Sequence, residues 1–264
     1  MTKPLSISVS CTTDSSTILQ KAENLAHKLE LPFHPEIVKT DSDLILAYTS
    51  AGLQLLKLTT RSKIKRLLFV DFIRGKNGYR HAKNLTIHQP LAKAVGIRSG
   101  IRPTVLDATA GLGGDSFVLA CLGCEVSMCE RSSILHALLE DGLFRAAFED
   151  KTSEIVTQRM RLVREDTRSF ISRSEDSFDT IYLDPMYPHR KKQALNREEM
   201  RVIRDLVGDD IDSGELLNVA LTRAKKRVVV KRPKGASLLS NHQPTYEVLM
   251  KNSRFDIYLR ASHP

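Results

Sequence analysis

The chain has 264 residues, 41% of them hydrophobic, which excludes a disordered protein and is enough to bury a full core in one large domain or in a domain with an appendage. Forty Lys and Arg against thirty-one Asp and Glu leave a formal charge of +9, which admits a polyanionic partner without identifying one. The first residues lack the apolar core of a signal peptide and no apolar run reaches the length of a membrane span, so a cytoplasmic protein with no membrane partner is expected.

Residues Leu5 to about Cys11 alternate as a short strand, and Ser16–Leu29 carry apolar residues at helical spacing. Strands over Asp43–Tyr48, Gly52–Leu58 and Arg66–Phe72 follow, so residues 1–85 read as a small N-terminal α/β domain. The polar, basic stretch Arg74–His88 reads as a connector before a helix at Pro90–Val95. From Pro103 the pattern alternates: strand Thr104–Ala108, helix Ser116–Leu122, strand Glu125–Cys129, helix Ser132–Phe148. Further strands at Arg161–Arg164, Thr180–Leu183, Arg227–Lys231 and Asp256–Leu259, with helices at Arg197–Leu206 and Gly214–Lys225, complete a parallel-sheet domain over residues 86–264. Of four cysteines, Cys121 and Cys124 form one C-x-x-C pair with no second pair to complete a zinc site, so buried thiols and no metal are expected.

In an open parallel sheet, ligands bind beyond the carboxyl ends of the strands, and four acids fall there: Asp107, Glu130, Asp166 and Asp184. Asp107 is followed by a turn containing Gly111, Gly113 and Gly114 that opens a helix at Asp115. Glycines let backbone approach a ligand, and Asp107 can accept from an ammonium, which suits the methionine end of S-adenosylmethionine. A dinucleotide site needs a third glycine where Ser116 stands, and its pyrophosphate would be repelled by Asp107. Glu130 lies 23 residues beyond Asp107, near the interval at which an acid reaches a ribose hydroxyl. Arg131 can meet the cofactor carboxylate or lie over the adenine. Asp166 and Thr167 suit the adenine end and suit a helix cap equally well.

The loop Asp184-Pro-Met-Tyr187-Pro188 leaves another apolar strand. Its carboxylate and carbonyls can accept from an exocyclic amine, and Tyr187 can stack on the base carrying it. Alone it would read as a strand-ending turn; the glycine turn upstream favours amino-group methylation. Basic residues flank the same crevice at His189, Arg190, Lys191 and Lys192 and again at Lys231, Arg232 and Lys234, where they would hold RNA phosphates. Arg61, Lys63, Lys65 and Arg66 either extend that surface or blunt a sheet edge, the latter being the commoner use of such residues.

Together the segments Asp107–Gly113, Glu130-Arg131, Leu183–His189, Glu199–Arg201, Leu206–Gly208, Lys226–Pro233 and Arg254–Tyr258 resemble the ribosomal RNA small subunit methyltransferase J family. The resemblance covers most of the chain. It implies a Rossmann-like class I methyltransferase with a seven-stranded sheet, acting with S-adenosylmethionine on guanine N2 of 16S ribosomal RNA, either free or in the small subunit. It further implies cofactor contacts from the Gly114-Asp115, Glu130-Arg131 and Asp166-Thr167 pairs and from Asp184. The family usually has arginine where Gly114 stands and phenylalanine where Tyr187 stands, and Tyr79–Gln89 departs from its glycine-rich connector. Other planar amines, such as adenine N6 of DNA or RNA or a protein glutamine, are alternative acceptors. A non-catalytic RNA-binding module is a third reading, against which the intact acids Asp107, Glu130 and Asp184 argue.

Overall fold

The computed structural model describes residues 5–12, 15–37, 41–59, 63–74, 85–186, 197–207 and 212–260. The first unit is a four-stranded sheet of β1 (Ile7–Cys11), β2 (Leu44–Thr49), β3 (Gly52–Leu58) and β4 (Ile64–Leu68), in that spatial order. β1 and β2 run parallel, joined across helix α1 (Ser16–Leu29), and the other neighbours are antiparallel. The expected strand at Arg66–Phe72 is shifted. Ile64, Lys65 and Arg66 form the exposed start of β4, whereas Val70 and Phe72 leave the sheet and are buried. Phe72 stacks on Phe117 with ring centroids 4.8 Å apart, so this apolar run is buried by packing against the second unit.

After α2 (Pro90–Val95) comes β5 (Val105–Asp107), α3 (Gly114–Cys121), β6 (Val126–Cys129), α4 (Ser133–Ala147), α5 (Ser153–Arg159), β7 (Met160–Val163), α6 (Thr167–Arg173) and β8 (Thr180–Leu183). The chain then continues through α7 (Arg197–Val207), α8 (Ser213–Arg223), β9 (Arg227–Pro233), β10 (Tyr246–Leu249) and β11 (Ser253–Leu259). The second sheet has the order β10-β11-β9-β8-β5-β6-β7. Its pairs from β9 to β7 are parallel, while β11 is antiparallel to β9 and to β10. Three elements escape the expected pattern. α5 and α6 have seven residues each and β10 has four, too short to establish a period.

The central strands are buried on both faces, so alternation survives only as a choice between two cores. Val105, Tyr182 and Val229 face the larger core with α2, α3 and α4, while Leu106, Ile181, Leu183, Val228 and Val230 face α6 and α8. The larger core is continuous with Val9, Leu46, Leu53 and Leu55 of the four-stranded sheet. A polar latch accompanies it: Asp141 on α4 accepts from Leu53 N at 2.9 Å and from Arg145 Nε at 2.7 Å, and Arg145 donates to Val70 O at 2.5 Å.

Candidate cofactor and acceptor site

A cavity of about 420 Å³ opens at the carboxyl ends of β5, β6 and β8, within the usual range for a small-molecule site. All four strand-end acids line it, and Glu130, Asp166 and Asp107 also accept hydrogen bonds from the backbone of the loops around it. Glu130, 5% exposed, accepts from Gly111 N at 2.9 Å and from Ser132 N at 2.7 Å, tying the glycine turn to the start of α4. A carboxylate has about four acceptor positions, more than these two amides use. Asp166 caps α6 by accepting from Arg168 N at 3.0 Å and also pairs with Arg168 Nε at 3.1 Å. Burial acts against its charge, but the Arg168 bonds prevail and hold its pKa below the usual carboxylate value. Thr167 donates to Ala108 O at 2.6 Å, fastening α6 to the end of β5.

Asp107 is 2% exposed and accepts from Ser116 Oγ at 2.5 Å and from Thr109 N at 3.2 Å. Burial, reinforced by the neighbouring Asp115 and Asp184 charges, outweighs those two bonds and pushes its pKa up to about 7. Ser116, read in the sequence only as a missing glycine, is thus a buried partner of Asp107. The helix turn that carries it folds back over the strand end, a contact that linear spacing does not display.

The period of two along the strands sets the opposite wall. Val105, Tyr182 and Val229 share one face, so Asp107 and Lys231 lie on it too. Lys231 Nζ donates to Asp115 Oδ2 at 2.8 Å and to Asp184 Oδ2 at 2.9 Å, and the Tyr182 hydroxyl donates to Asp115 Oδ2 at 2.5 Å. Burial disfavours the Lys231 charge, yet the Asp184 and Asp115 carboxylates more than compensate and its pKa rises above the ordinary lysine value. Burial together with the same two carboxylates keeps Tyr182 protonated. Asp184 N donates to Thr109 Oγ1 at 2.7 Å, fixing the start of its loop.

Several expectations need correction. Lys231 points into the cavity and pairs with acids, where an outward phosphate contact was expected. Arg232 lies on the other face, 3% exposed and 3.8 Å from Asp256, so it has no surface to offer RNA. Lys234 is exposed as expected. Gly111, at φ 57°, lines the cavity, and a Cβ there would have only Thr109 O within 4 Å, at 3.9 Å. Gly113 serves packing instead: at φ 71° its Cβ would lie 2.8 Å from Leu139 and 3.1 Å from Phe72, and it is not part of the cavity wall. Gly114 and Asp115 do line it. Tyr187, His189, Arg190, Lys191, Lys192 and Arg61 lie outside the described residues.

The sequence reading missed the far rim. Asp212, just before α8, accepts from Arg131 Nη1 at 3.2 Å and pairs with Arg168 Nη2 at 2.9 Å, so one acid joins the loops after β6 and β7. Arg131 therefore reaches the cavity as part of an ion cluster. Ile203 of α7 and Leu216 of α8 supply apolar wall. An acid in a stretch without a strand to end carries no periodic signal.

A family model described as "Putative SAM-dependent methyltransferase" matches residues 14–260. The ribosomal RNA small subunit methyltransferase J of Desulfotalea psychrophila is 50% identical over 248 residues, 94% of each chain. That of Thioalkalivibrio sulfidiphilus is 46% identical over 247 residues, 93% of this chain and 95% of its own. The crystal structure of a SAM-dependent methyltransferase from Neisseria gonorrhoeae aligns over 98% of both chains with a TM-score of 0.72 at 30% identity. The residues present fit S-adenosylmethionine. Gly111 leaves a cradle that a Cβ would fill, the buried Glu130 carboxyl lines the cavity, and the carboxyls of Asp107, Asp115 and Asp184 surround one end, suited to a cationic amino acid and a sulfonium. The strand order, with its antiparallel β11 inserted beside β9, the acid-ended glycine turn and the near full-length relatives agree: this chain belongs to the ribosomal RNA small subunit methyltransferase J family, enzymes that depend on S-adenosylmethionine.

Proposed function

We propose that this chain methylates the N2 amine of a guanine in 16S ribosomal RNA. The observation that carries the reading is the Asp184 loop, which leaves β8 at the cavity mouth with its backbone held by Thr109 and its carboxylate by Lys231. When bound, S-adenosylmethionine supplies an electrophilic methyl group on a positively charged sulfur. In this reading Glu130 holds the ribose, Asp166 and Thr167 lie at the adenine end, and Asp107 accepts from the ammonium. Asp184 accepts a hydrogen bond from the guanine amine and aims its lone pair at the methyl carbon. The new N–C bond forms as the C–S bond breaks, and the amine then releases one proton to Asp184 or to water. Tyr187 is proposed to stack on the base, and His189–Lys192 with Lys234 to hold phosphates. A ribosomal substrate implies a cytoplasmic location. The division into residues 1–85 and 86–264 is likewise our reading, supported by the separate sheets.

The test is to incubate the protein with methyl-labelled cofactor and either free 16S RNA or small subunits, then digest the RNA and identify the labelled nucleoside. N2-methylguanosine at a single position is expected, and Asp184→Ala should lower the rate on the order of a hundredfold, about 3 kcal/mol of transition-state stabilisation. Label in N6-methyladenosine would reassign the acceptor. Label absent from RNA under both conditions would overturn the reading.

A further inference from the structure

The acids at the cavity mouth share one cation. Asp115 comes from the first turn of α3, Asp184 from the end of β8 and Lys231 from β9, and the Nζ lies within 3 Å of both carboxylates. Lys231 follows a buried run, Val228, Val229 and Val230 being at most 1% exposed, so its backbone is fixed by the sheet while its half-buried side chain lies at the cavity. Asp115 is held from the other side by the buried Tyr182 hydroxyl. The chain Tyr182–Asp115–Lys231–Asp184 therefore passes from the inner sheet to the acceptor loop.

We propose that Lys231 is a positioning residue for methyl transfer: it holds the Asp184 carboxylate as an anion and fixes its rotation, with Asp115 and Tyr182 as the brace that sets Lys231. This rests on the reading of Asp184 as the acceptor-orienting group. Among the described residues, charged and titratable groups that face Asp184 include Lys231 on β9, Asp115 on α3, Tyr182 on β8 and Asp107 on β5. Lys231 is the cation of this set, the other three being acids. Without it, Asp184 would lose an ammonium 2.9 Å away while keeping Asp115 and Asp107 as neighbours, and repulsion between carboxylates favours a protonated acid. A protonated carboxyl can offer a hydrogen where the amine needs an acceptor, turning the amine the wrong way. The pairing also explains why a lysine pointing into a cavity for a cationic ligand does not repel it: two carboxylates outnumber the one ammonium.

The experiment compares Lys231→Met, Lys231→Arg and wild type in three measurements. Single-turnover methyl transfer to small subunits, from pH 5.5 to 9, should fall at least tenfold in Lys231→Met, with the acid limb of the rate profile moved upward by one pH unit or more. Lys231→Arg should recover most of both changes. Calorimetry with the demethylated cofactor gives the affinity of each protein, so that the single-turnover rates are compared at saturating cofactor. A carboxyl carbon NMR titration of Asp184 needs no RNA and should show the same upward shift in Lys231→Met. A wild-type rate profile and an unmoved Asp184 titration would overturn the proposal. So would a loss in Lys231→Met confined to folding and cofactor affinity, with the acid limb in place. If Asp184→Ala leaves methylation intact while the Asp184 titration still shifts, the acceptor-site reading has failed and the ion pair itself stands.

Discussion

Asp107 enters the folded chain at a cost, because its carboxyl lies in the interior while its pKa in the unfolded chain is near 3.8. With the folded value raised to about 7, the folded state holds a proton that the unfolded state releases. Stability from this group is therefore complete below about pH 4 and is lost as the pH climbs to about 7. Each tenfold difference in proton affinity between the two states is worth roughly 1.4 kcal/mol, so the loss by pH 8 has an upper bound of roughly 4 kcal/mol. Asp107→Asn keeps the shape and the neutral form. Urea titrations should find it close to wild type at pH 4 and more stable than wild type at pH 8, and equal destabilisation at both pH values would count against a raised pKa. The acids were readable in the sequence because each ends an apolar strand. Their partners were not: Ser116, Tyr182 and Lys231 meet them through bonds between segments as much as 116 residues apart. Lys231 could have been placed by counting in twos from Val229, had the face occupied by Asp107 been known.

Among the elements, α4 has two tasks, closing the larger core and receiving the four-stranded sheet. Gly142 makes the second possible. A Cβ there would collide with Val70 Cγ1 and stand 3.2 Å from Val70 O, and backbone cannot yield as a flexible side chain can. Alanine's better helix propensity, worth about 1 kcal/mol, would be set against an overpacking cost of about 1–3 kcal/mol. Gly142→Ala should thus be destabilising by up to about 2 kcal/mol in chemical denaturation, whereas Gly235→Ala, with no atom within 4 Å of its Cβ, should be near neutral. A stabilised Gly142→Ala would mean that α4 and Val70 are further apart than described. The long helices and buried strands were legible because apolar residues recur over enough turns or lie in uninterrupted runs. At β4 the same reasoning misplaced the strand, since a run such as Leu67–Phe72 is equally well buried by pairing or by packing under a helix, and hydrophobicity does not distinguish them.

For the molecule as a whole, the shared core outweighs the separation into two sheets. Side chains from β1, β2 and β3 join those of α3, α4, β5 and β9 in one buried cluster. Urea unfolding followed by far-ultraviolet circular dichroism and by tyrosine fluorescence should therefore give coincident transitions; two separated midpoints would show that the N-terminal sheet unfolds alone. The parallel strand–helix alternation was legible in the sequence, but the spatial order of the strands and the union of the two sheets were not, the latter because interface residues on α4 are apolar or small for reasons that look like ordinary core. That helix begins at Ser132, whose N–H is held by Glu130 at the cavity, and near its end Arg145 grips Val70 O beneath the N-terminal sheet. It spans roughly 20 Å between them at the usual rise per residue. The polar part of the seam between the units is thus written in residues 141–145, far beyond the connector. A chimaera that exchanges N-terminal segments between relatives at residue 85 would carry away one side of a lock and leave its key behind; the transferable module is residues 1–85 together with the outward face of α4.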